Sequence, residues 1–408
     1  MRSVFICLLL FSTTFSYSSD IDFSGFATLK AVKTDSHTAK IRETISQPSG
    51  VTKDELDFSF SSLGLQAEWH ANDNVELVGQ LLLKEQRDDR VNNAIKLAFL
   101  RYNLNSNWQF RAGRTGLDLF LMTEYRDIGY SMDMEHPPVE FYSIIPHQNL
   151  DGVDLQYRAP LHQGIAGIKT YWGRSKSPIY SDNDFFWNVE LKSILGVAIQ
   201  YETLNWLFRA NYTTTKSANE HQQQRQLRDA LSQVPLQVWP TRNELIESLN
   251  ILDKRFTYSA FSMRYDDSKW LVQSEISLTD SNSSVLNRLK AGYITLGKRF
   301  DLDTLSFTYS LAKSDNEERV EPGPLVPLPE LMQIYEAASM HSGFYQLDQY
   351  STSVTWRREL SPTLALKLNW KHTSADHLPS AFYLHHIDQF DDPDLSFNTF
   401  TLSFNWVF

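Results

Sequence analysis

The residues from Phe400 to Phe408 carry a two-residue period. Phe400, Leu402, Phe404, Trp406 and Phe408 fall on alternate positions, with Thr399, Thr401, Ser403, Asn405 and Val407 between them. Successive side chains of an extended strand point to opposite faces, so one face is apolar and aromatic and the other mostly small and polar. The period recurs upstream. Leu364, Leu366, Leu368 and Trp370 oppose Thr363, Ala365, Lys367, Asn369 and Lys371, and Leu305, Phe307, Tyr309 and Leu311 oppose Thr304, Ser306, Thr308 and Ser310. Trp206, Phe208, Ala210 and Tyr212 oppose Leu207, Arg209, Asn211 and Thr213, and Val153, Leu155, Tyr157 and Ala159 oppose Asp154, Gln156 and Arg158. One apolar parity is read from Trp187 through Val189, Leu191, Ser193, Leu195, Val197 and Ile199 to Tyr201. A helix would repeat near every 3.6 residues. A strand with lipid on one side and a wet lumen on the other requires the alternation seen here.

Three stretches break phase. Phe58 and Phe60 disagree with Leu63, Leu65, Ala67 and Trp69, which predicts a β-bulge near Ser61-Ser62. Both faces are apolar over 94–104. Tyr258 and Ala260 disagree with Phe261, Met263 and Tyr265.

The pattern predicts an all-β, antiparallel transmembrane barrel of sixteen strands: 21–33, 56–69, 74–85, 93–104, 107–115, 150–159, 164–174, 187–202, 205–215, 255–266, 269–280, 288–300, 303–313, 348–358, 362–374 and 395–408. Single-chain bacterial barrels have even strand numbers. Seven tight connections, several holding Asn, Asp, Ser or Pro, alternate with eight longer ones at 34–55, 86–92, 116–149, 175–186, 216–254, 281–287, 314–347 and 375–394. Short turns on one rim and long loops on the other are expected of such barrels. Trp69, Tyr102, Trp108, Trp206, Trp270 and Trp356 sit beside the short turns, where amphipathic rings suit a membrane interface. Helix-like runs at 219–231, 241–252 and 329–339 interrupt two of the long loops. The last strand, 395–408, is expected to pair with 21–33 and close the ring.

Composition narrows the setting. The 408 residues carry a net charge of −11, which argues against a nucleic-acid partner. Residues 1–18 read as a signal peptide: Arg2 precedes an apolar run from Val4 to Phe11, and small residues follow near Ser16 and Ser18. The single cysteine, Cys7, lies within that run. The barrel proper is 19–408, placed in the outer membrane against lipid and lipopolysaccharide.

The connection 116–149 holds Asp118, Glu124, Asp127, Asp133, Glu135 and Glu140 against one base, Arg126. The lumen-facing parity offers Lys30, Lys84, Arg101, Arg111, Arg158, Lys169, Arg209, Arg357, Lys367 and Lys371. An acidic loop folded inward against a basic wall would set up a transverse field in a narrow passage. In the alternative arrangement the loop lies outside and the bases pair with Asp154, Glu190, Glu202 and Glu275. The final loop holds His377, His385 and His386 among aspartates, in a spacing that fits no metal site, so no metal or other cofactor is assigned. No nucleophile elbow, zinc-helix motif or phosphate-binding glycine loop is found, so no enzyme is expected.

Over 98–130, Ala98-Phe-Leu-Arg-Tyr-Asn-Leu, then Phe110-Arg-Ala-Gly-Arg-Thr-Gly-Leu-Asp-Leu and Glu124-Tyr-Arg-Asp-Ile-Gly, the chain resembles the Gram-negative outer-membrane porin superfamily, both general and phosphate-selective-like porins. The resemblance implies a homotrimer, one pore per subunit for small hydrophilic solutes, and a third loop forming the constriction. It implies that Arg111 and Arg114 at the loop's root, and Glu124 and Asp127 within it, line that constriction. Strand parity agrees for Arg111 and puts Arg114 on the other face unless the strand ends or bulges at Gly113. The strongly acidic loops argue against phosphate selectivity. A substrate-specific porin for a sugar or organic acid, and a barrel enzyme or adhesin with a plugged lumen, are the alternatives.

Overall fold

A computed structural model describes residues 21–37, 39–53, 55–85, 94–180, 186–283, 288–315, 329–343, 347–375, 383–385 and 395–408. The signal stretch 1–18, the loop 86–92 and parts of the loops 281–287, 314–347 and 375–394 lie outside the described residues.

The strands are β1 (Ile21–Thr34), β2 (Ala39–Ile41), β3 (Ser62–Asn72), β4 (Val75–Lys84), β5 (Ile95–Asn103), β6 (Trp108–Gly116), β7 (Asn149–Leu161), β8 (Gly164–Tyr180) and β9 (Phe186–Glu202). They continue as β10 (Trp206–Ser217), β11 (Arg255–Asp266), β12 (Trp270–Ser281), β13 (Leu289–Phe300), β14 (Asp303–Ser314), β15 (Asp348–Ser361), β16 (Leu364–Ala375), β17 (Tyr383–His385) and β18 (Leu395–Val407). Sixteen of them form one closed antiparallel barrel in sequence order, sealed by β1 against β18. β2 and β17 stand apart as a two-stranded sheet joining the first and last long loops, a pairing that the alternation did not signal.

The seam shows why the ring closes where it does. Leu29 faces Phe404 and Ala31 faces Leu402 in register. Gly25 and Phe408 exchange backbone hydrogen bonds of 2.8 and 3.0 Å. The Phe408 ring lies so close to Gly25 that a Cβ there would meet it at 2.4 Å.

The two parities have opposite surroundings. On β18, Leu402, Phe404 and Trp406 are exposed while Thr401, Ser403 and Asn405 are buried. Exposed aliphatic and aromatic side chains continue round the outside, including Leu83, Ile165, Ile199, Ile276, Leu296, Phe307 and Leu368. A closed barrel satisfies its backbone internally, so this outer face can lie in lipid without unpaired amides. Rings pair beside the short turns: Trp108 with Tyr157 and Trp206 with Tyr265, both at 4.7 Å between centroids. The Lys298 ammonium lies over the rings of Trp270 and Phe300 at 4.7 and 5.0 Å.

Most strand limits shift by only a few residues from those expected, and four departures have clear causes. The parity from Trp187 to Tyr201 is two parities: Ser193 takes a left-handed conformation (φ 53°) and inserts one extra residue opposite Thr214–Lys216. Val189 and Leu191 therefore turn inward and join a buried cluster. The phase clash in β11 is also real: Tyr258 is buried on the inner parity, whereas Phe261 is exposed on the outer one. No bulge is needed at Ser61-Ser62, because β3 begins at Ser62 and Phe58 and Phe60 precede it in a turn. The expected loop 175–186 is largely strand, since Ser175↔Leu191 through Tyr180↔Phe186 stay in register.

Two further long loops carry helices where the runs of 219–231, 241–252 and 329–339 were read: α2 (Gln222–Gln233), α3 (Arg242–Ser248) and α4 (Pro329–Gly343), with α1 (Val139–Tyr142) in the segment 117–148. Leu231, Trp239, Leu245 and Leu249 bury themselves against Leu331 and Ala338, so two loops distant in sequence share one small apolar core. No helix among the described residues is long and apolar enough to cross a membrane.

Leu402→Arg, near the middle of β18 on the outer face, should destabilise the barrel by roughly 2–4 kcal/mol in lipid vesicles. Urea titration of refolding, with Ser403→Thr on the opposite parity as control, is the measurement; equal effects at the two positions would deny that Leu402 faces lipid.

Candidate functional site

The segment 117–148 leaves β6 and returns at β7, its two ends tied by Leu117 N–H donating to the Gln148 carbonyl at 2.9 Å. Between them lie a single 3-10 turn at Gly129–Ser131 and the short α1, which starts just after Pro137-Pro138. Its apolar residues do not face water. Phe120, Met122, Phe141 and Tyr142 are buried against Tyr171, Ile194, Tyr258 and Tyr293 of the strands. Phe120 lies 5.8 Å from Tyr258, and Phe141 lies 5.4 Å from Tyr293, both edge-on. Such pairs add about 0.5–1.5 kcal/mol each beyond their burial. This contact explains why aromatic residues occupy the inner parity of β8, β11 and β13.

Each of the segment's six carboxylates meets a base of the wall. Asp118 pairs with Arg209 at 2.5 Å and Lys169 at 3.1 Å, and Glu124 with Arg111 at 3.2 Å and Lys169 at 3.8 Å. Asp127 pairs with Lys96 at 2.6 Å and Lys84 at 3.5 Å, and Asp133 with Arg299 at 2.6 Å and Arg357 at 4.0 Å. Glu135 lies 2.7 Å from Lys30, and Glu140 lies 3.5 Å from Lys371. The basic wall and acidic loop were expected to oppose one another across a gap. They are instead in direct contact, so their charges largely neutralise each other and act as attachments.

Backbone carbonyls of the segment are held as well. Lys367, fully buried, donates to Gly129 and Met134 at 2.7 Å each, and Arg357 donates to Met132 at 2.8 Å. At Gly129 a Cβ would lie 2.0 Å from Asn405 Oδ1 and 2.7 Å from Thr28 Oγ1, so only glycine permits this approach to β1 and β18. Glu275 of β12 accepts from Leu121 N–H at 2.9 Å, from Ser262 and Tyr293 hydroxyls at 2.8 Å each, and from the Tyr142 hydroxyl.

The remaining expected residues separate from this set. Arg101 pairs with Glu76 at 2.6 Å, and Arg158 approaches Glu202 at 3.5 Å near the short-turn rim. Arg114 lies on the parity opposite Arg111 and pairs with Asp151 at 2.7 Å, as the phase of β6 dictates. Arg111 also binds Asp154 at 3.0 Å. Arg126 stacks over Phe120 and Tyr142 and donates to the Tyr142 carbonyl at 3.1 Å. Sequence reasoning passed over Arg299, which shares a parity with Tyr293, Thr295 and Gly297, and Lys96, hidden where both faces of β5 are apolar. Glu43 and His136 carried no periodic signal at all.

A cavity of about 120 Å³, open to solvent, remains between the segment and the β1–β3–β4 side of the wall. Lys30, Lys84 and Arg126 line it together with Glu43, Asp127 and Glu135.

The attachments have a defined pH response. Burial by itself would raise the carboxyls of Asp118 and Asp127, but Coulombic attraction wins and holds both well below the usual carboxylate range, from Arg209 and then Lys169 for Asp118, and from Lys96 and then Lys84 for Asp127. A carboxyl depressed on folding stabilises the folded form fully above its unfolded value, about 3.9, and loses that contribution as pH falls through the lower folded value. Amide protection over 117–148, taken relative to the intrinsic exchange rate at each pH, should therefore hold at pH 5 and fall only below about pH 4; a loss of protection between pH 7 and 5 would rule these pairs out as the clamp. Lys367→Met should leave two carbonyls without their donor at a cost of about 1–3 kcal/mol each. Exchange at residues 129–134 should then rise at neutral pH, and an unchanged rate would deny Lys367 an anchoring role.

No protein-family model and no curated protein matches the chain. Solved structures do. OmpF of Salmonella typhi, in complex with daunomycin, superposes with a TM-score of 0.54 at 13% identity, covering 95% of this chain and 97% of that one. An anion-selective porin from Comamonas acidovorans gives 0.53 at 10% identity, covering 95% and 99%. The outer-membrane channel DcaP of Acinetobacter baumannii gives 0.51 at 13%, covering 95% and 97%. Identities this low speak for shared architecture, and over nearly its whole length this chain has the fold of the Gram-negative outer-membrane porins.

Proposed function

We propose that the protein is an outer-membrane porin, a passive diffusion channel for small hydrophilic solutes or ions, exported by its signal peptide and assembled as a homotrimer. The observation that carries this reading is the cavity beside a clamped segment. Ion pairs and backbone anchors hold 117–148 against the inner parity of the wall, and a cavity of about 120 Å³ stays open on one side. On this reading the segment crosses the lumen and the cavity is the narrow part of the passage. Lys30, Lys84 and Arg126 face Glu43, Asp127 and Glu135 there, so opposite charges are interleaved. Interleaved charge favours polar solutes over apolar ones and gives weak discrimination between anions and cations.

The trimer reading draws on the outer face. Ala67, Gly79, Ala98 and Ala112 form a shallow apolar groove with Phe23 and Leu100 across β1 and β3–β6. At Gly79 a Cβ would meet nothing within 4 Å. Small residues let a neighbouring barrel approach closely.

Purified protein in planar bilayers should give stepwise conductance, in groups of three, that does not saturate with solute concentration. Asp127→Asn removes a carboxylate from the cavity, leaves Lys84 there without that partner, and should move the reversal potential toward anions. Silence from pure, folded protein would overturn the channel reading, and saturable block by a single sugar or organic acid would replace it with a substrate-specific porin.

A further inference from the structure

The cavity contains a set of donors that diffusion does not require. Glu43, Glu135 and His136 each bring one oxygen or nitrogen to within 4.8 Å of the others. Lys30 Nζ holds the two carboxylates by one edge only, 2.6 Å from Glu43 Oε1 and 2.7 Å from Glu135 Oε1. Glu135 is the telling member of the set. The side chain is 2% exposed, and neither oxygen has a hydrogen-bond partner among the described residues, Oε1 meeting Lys30 only as an ion pair.

What Oε2 faces is the Nε2 of His136, at 3.6 Å. The other ring nitrogen, Nδ1, lies 2.6 Å from the carbonyl oxygen of Pro137. A carbonyl only accepts, so Nδ1 carries a hydrogen, and Nε2 is the ring nitrogen turned toward the carboxylates. At their 3.6 Å separation no hydrogen bond joins Nε2 to Oε2. A histidine oriented by a backbone carbonyl at one nitrogen, with the other free, is the usual arrangement of a metal-ligating histidine. Metal–ligand bonds of about 2.0–2.2 Å in a tetrahedron set neighbouring ligand atoms roughly 3.4 Å apart; Nε2 and Oε2 are 3.6 Å apart, and the Glu43 oxygen lies within 4.8 Å of both.

We propose that Glu43, Glu135 and His136 form a site for a divalent transition metal of the Zn²⁺ class, with its fourth position open to the cavity. One imidazole with carboxylates suits Zn²⁺, Co²⁺ or Ni²⁺, whereas Mg²⁺ and Ca²⁺ take oxygen ligands. The two carboxylates supply the charge that attracts the ion, and Lys30 beside them tempers the affinity. Glu43 belongs to the long loop 34–55, whereas Glu135 and His136 belong to 117–148. A bound ion would therefore tie two loops across the cavity and obstruct it. That last consequence rests on the channel reading; the site itself does not.

Calorimetric titration of the full chain in detergent with ZnCl₂ should show one binding event that His136→Ala weakens at least ~10-fold. MgCl₂ should not reproduce it. Unchanged zinc binding in His136→Ala, or equal binding of Mg²⁺, overturns the site and leaves His136 as an ordinary imidazolium partner of Glu135. Should that variant fail to fold, wild-type crystals soaked in zinc decide: an anomalous peak within bonding distance of His136 Nε2 supports the site, and a peak elsewhere or none refutes it. In bilayers, zinc should reduce the wild-type current and spare that of His136→Ala. Normal current without zinc binding removes the metal site and keeps the channel; zinc binding by a protein that passes no current does the reverse.

Discussion

The architecture depends on the neutralisation of one acidic segment by a ring of bases on the opposite parity of the strands. Carboxylates and bases taken out of bulk water are expensive to bury singly, and become tolerable only when each has a partner at hydrogen-bonding distance. Asp118, Asp127, Asp133 and Glu140 each find that partner on a different part of the wall. The strands in turn carry Lys367 and Arg357, whose charges are spent on carbonyls of the same segment. Remove the segment and the inner face becomes a crowd of like charges; remove the bases and the segment has nothing to rest on.

Apolar contact supplements this. A wet-lumen barrel has little reason to point tyrosines inward, yet Tyr171, Tyr258 and Tyr293 do so, because Phe120, Phe141 and Tyr142 lie against them. The segment is amphipathic in three dimensions without being a regular helix. Glu275 is central to the polar half of that contact: it accepts from the segment's Leu121 amide and from Tyr293, joining backbone, strand and ring in one network.

Much of this was legible in the sequence. The two-residue period located the strands, the even count and the β1–β18 closure, because lipid outside and polar groups inside impose opposite chemistry on successive residues. It also marked Arg111, Lys169, Arg209, Arg357 and Lys367 as inward. Parity could not say what those side chains touch, since an ion pair between Asp118 and Arg209 spans 91 residues and is set by tertiary distance. It failed at Ser193, where apolar residues flank a bulge on both sides and leave the period looking intact. Arg114 was carried over from the family resemblance against the phase of its strand, and the phase was right. His136 and Glu43 are brought together by two loops, so no spacing along the chain announces them.

The seam between β1 and β18 joins residues as far apart as Thr28 and Asn405, 377 positions distant. Gly129 rests on both of those side chains at once. The place where the ring shuts is therefore also the place where the acidic segment docks. Closure of the ring and docking of the segment draw on the same three residues, and a substitution at Thr28, Gly129 or Asn405 would disturb both at once.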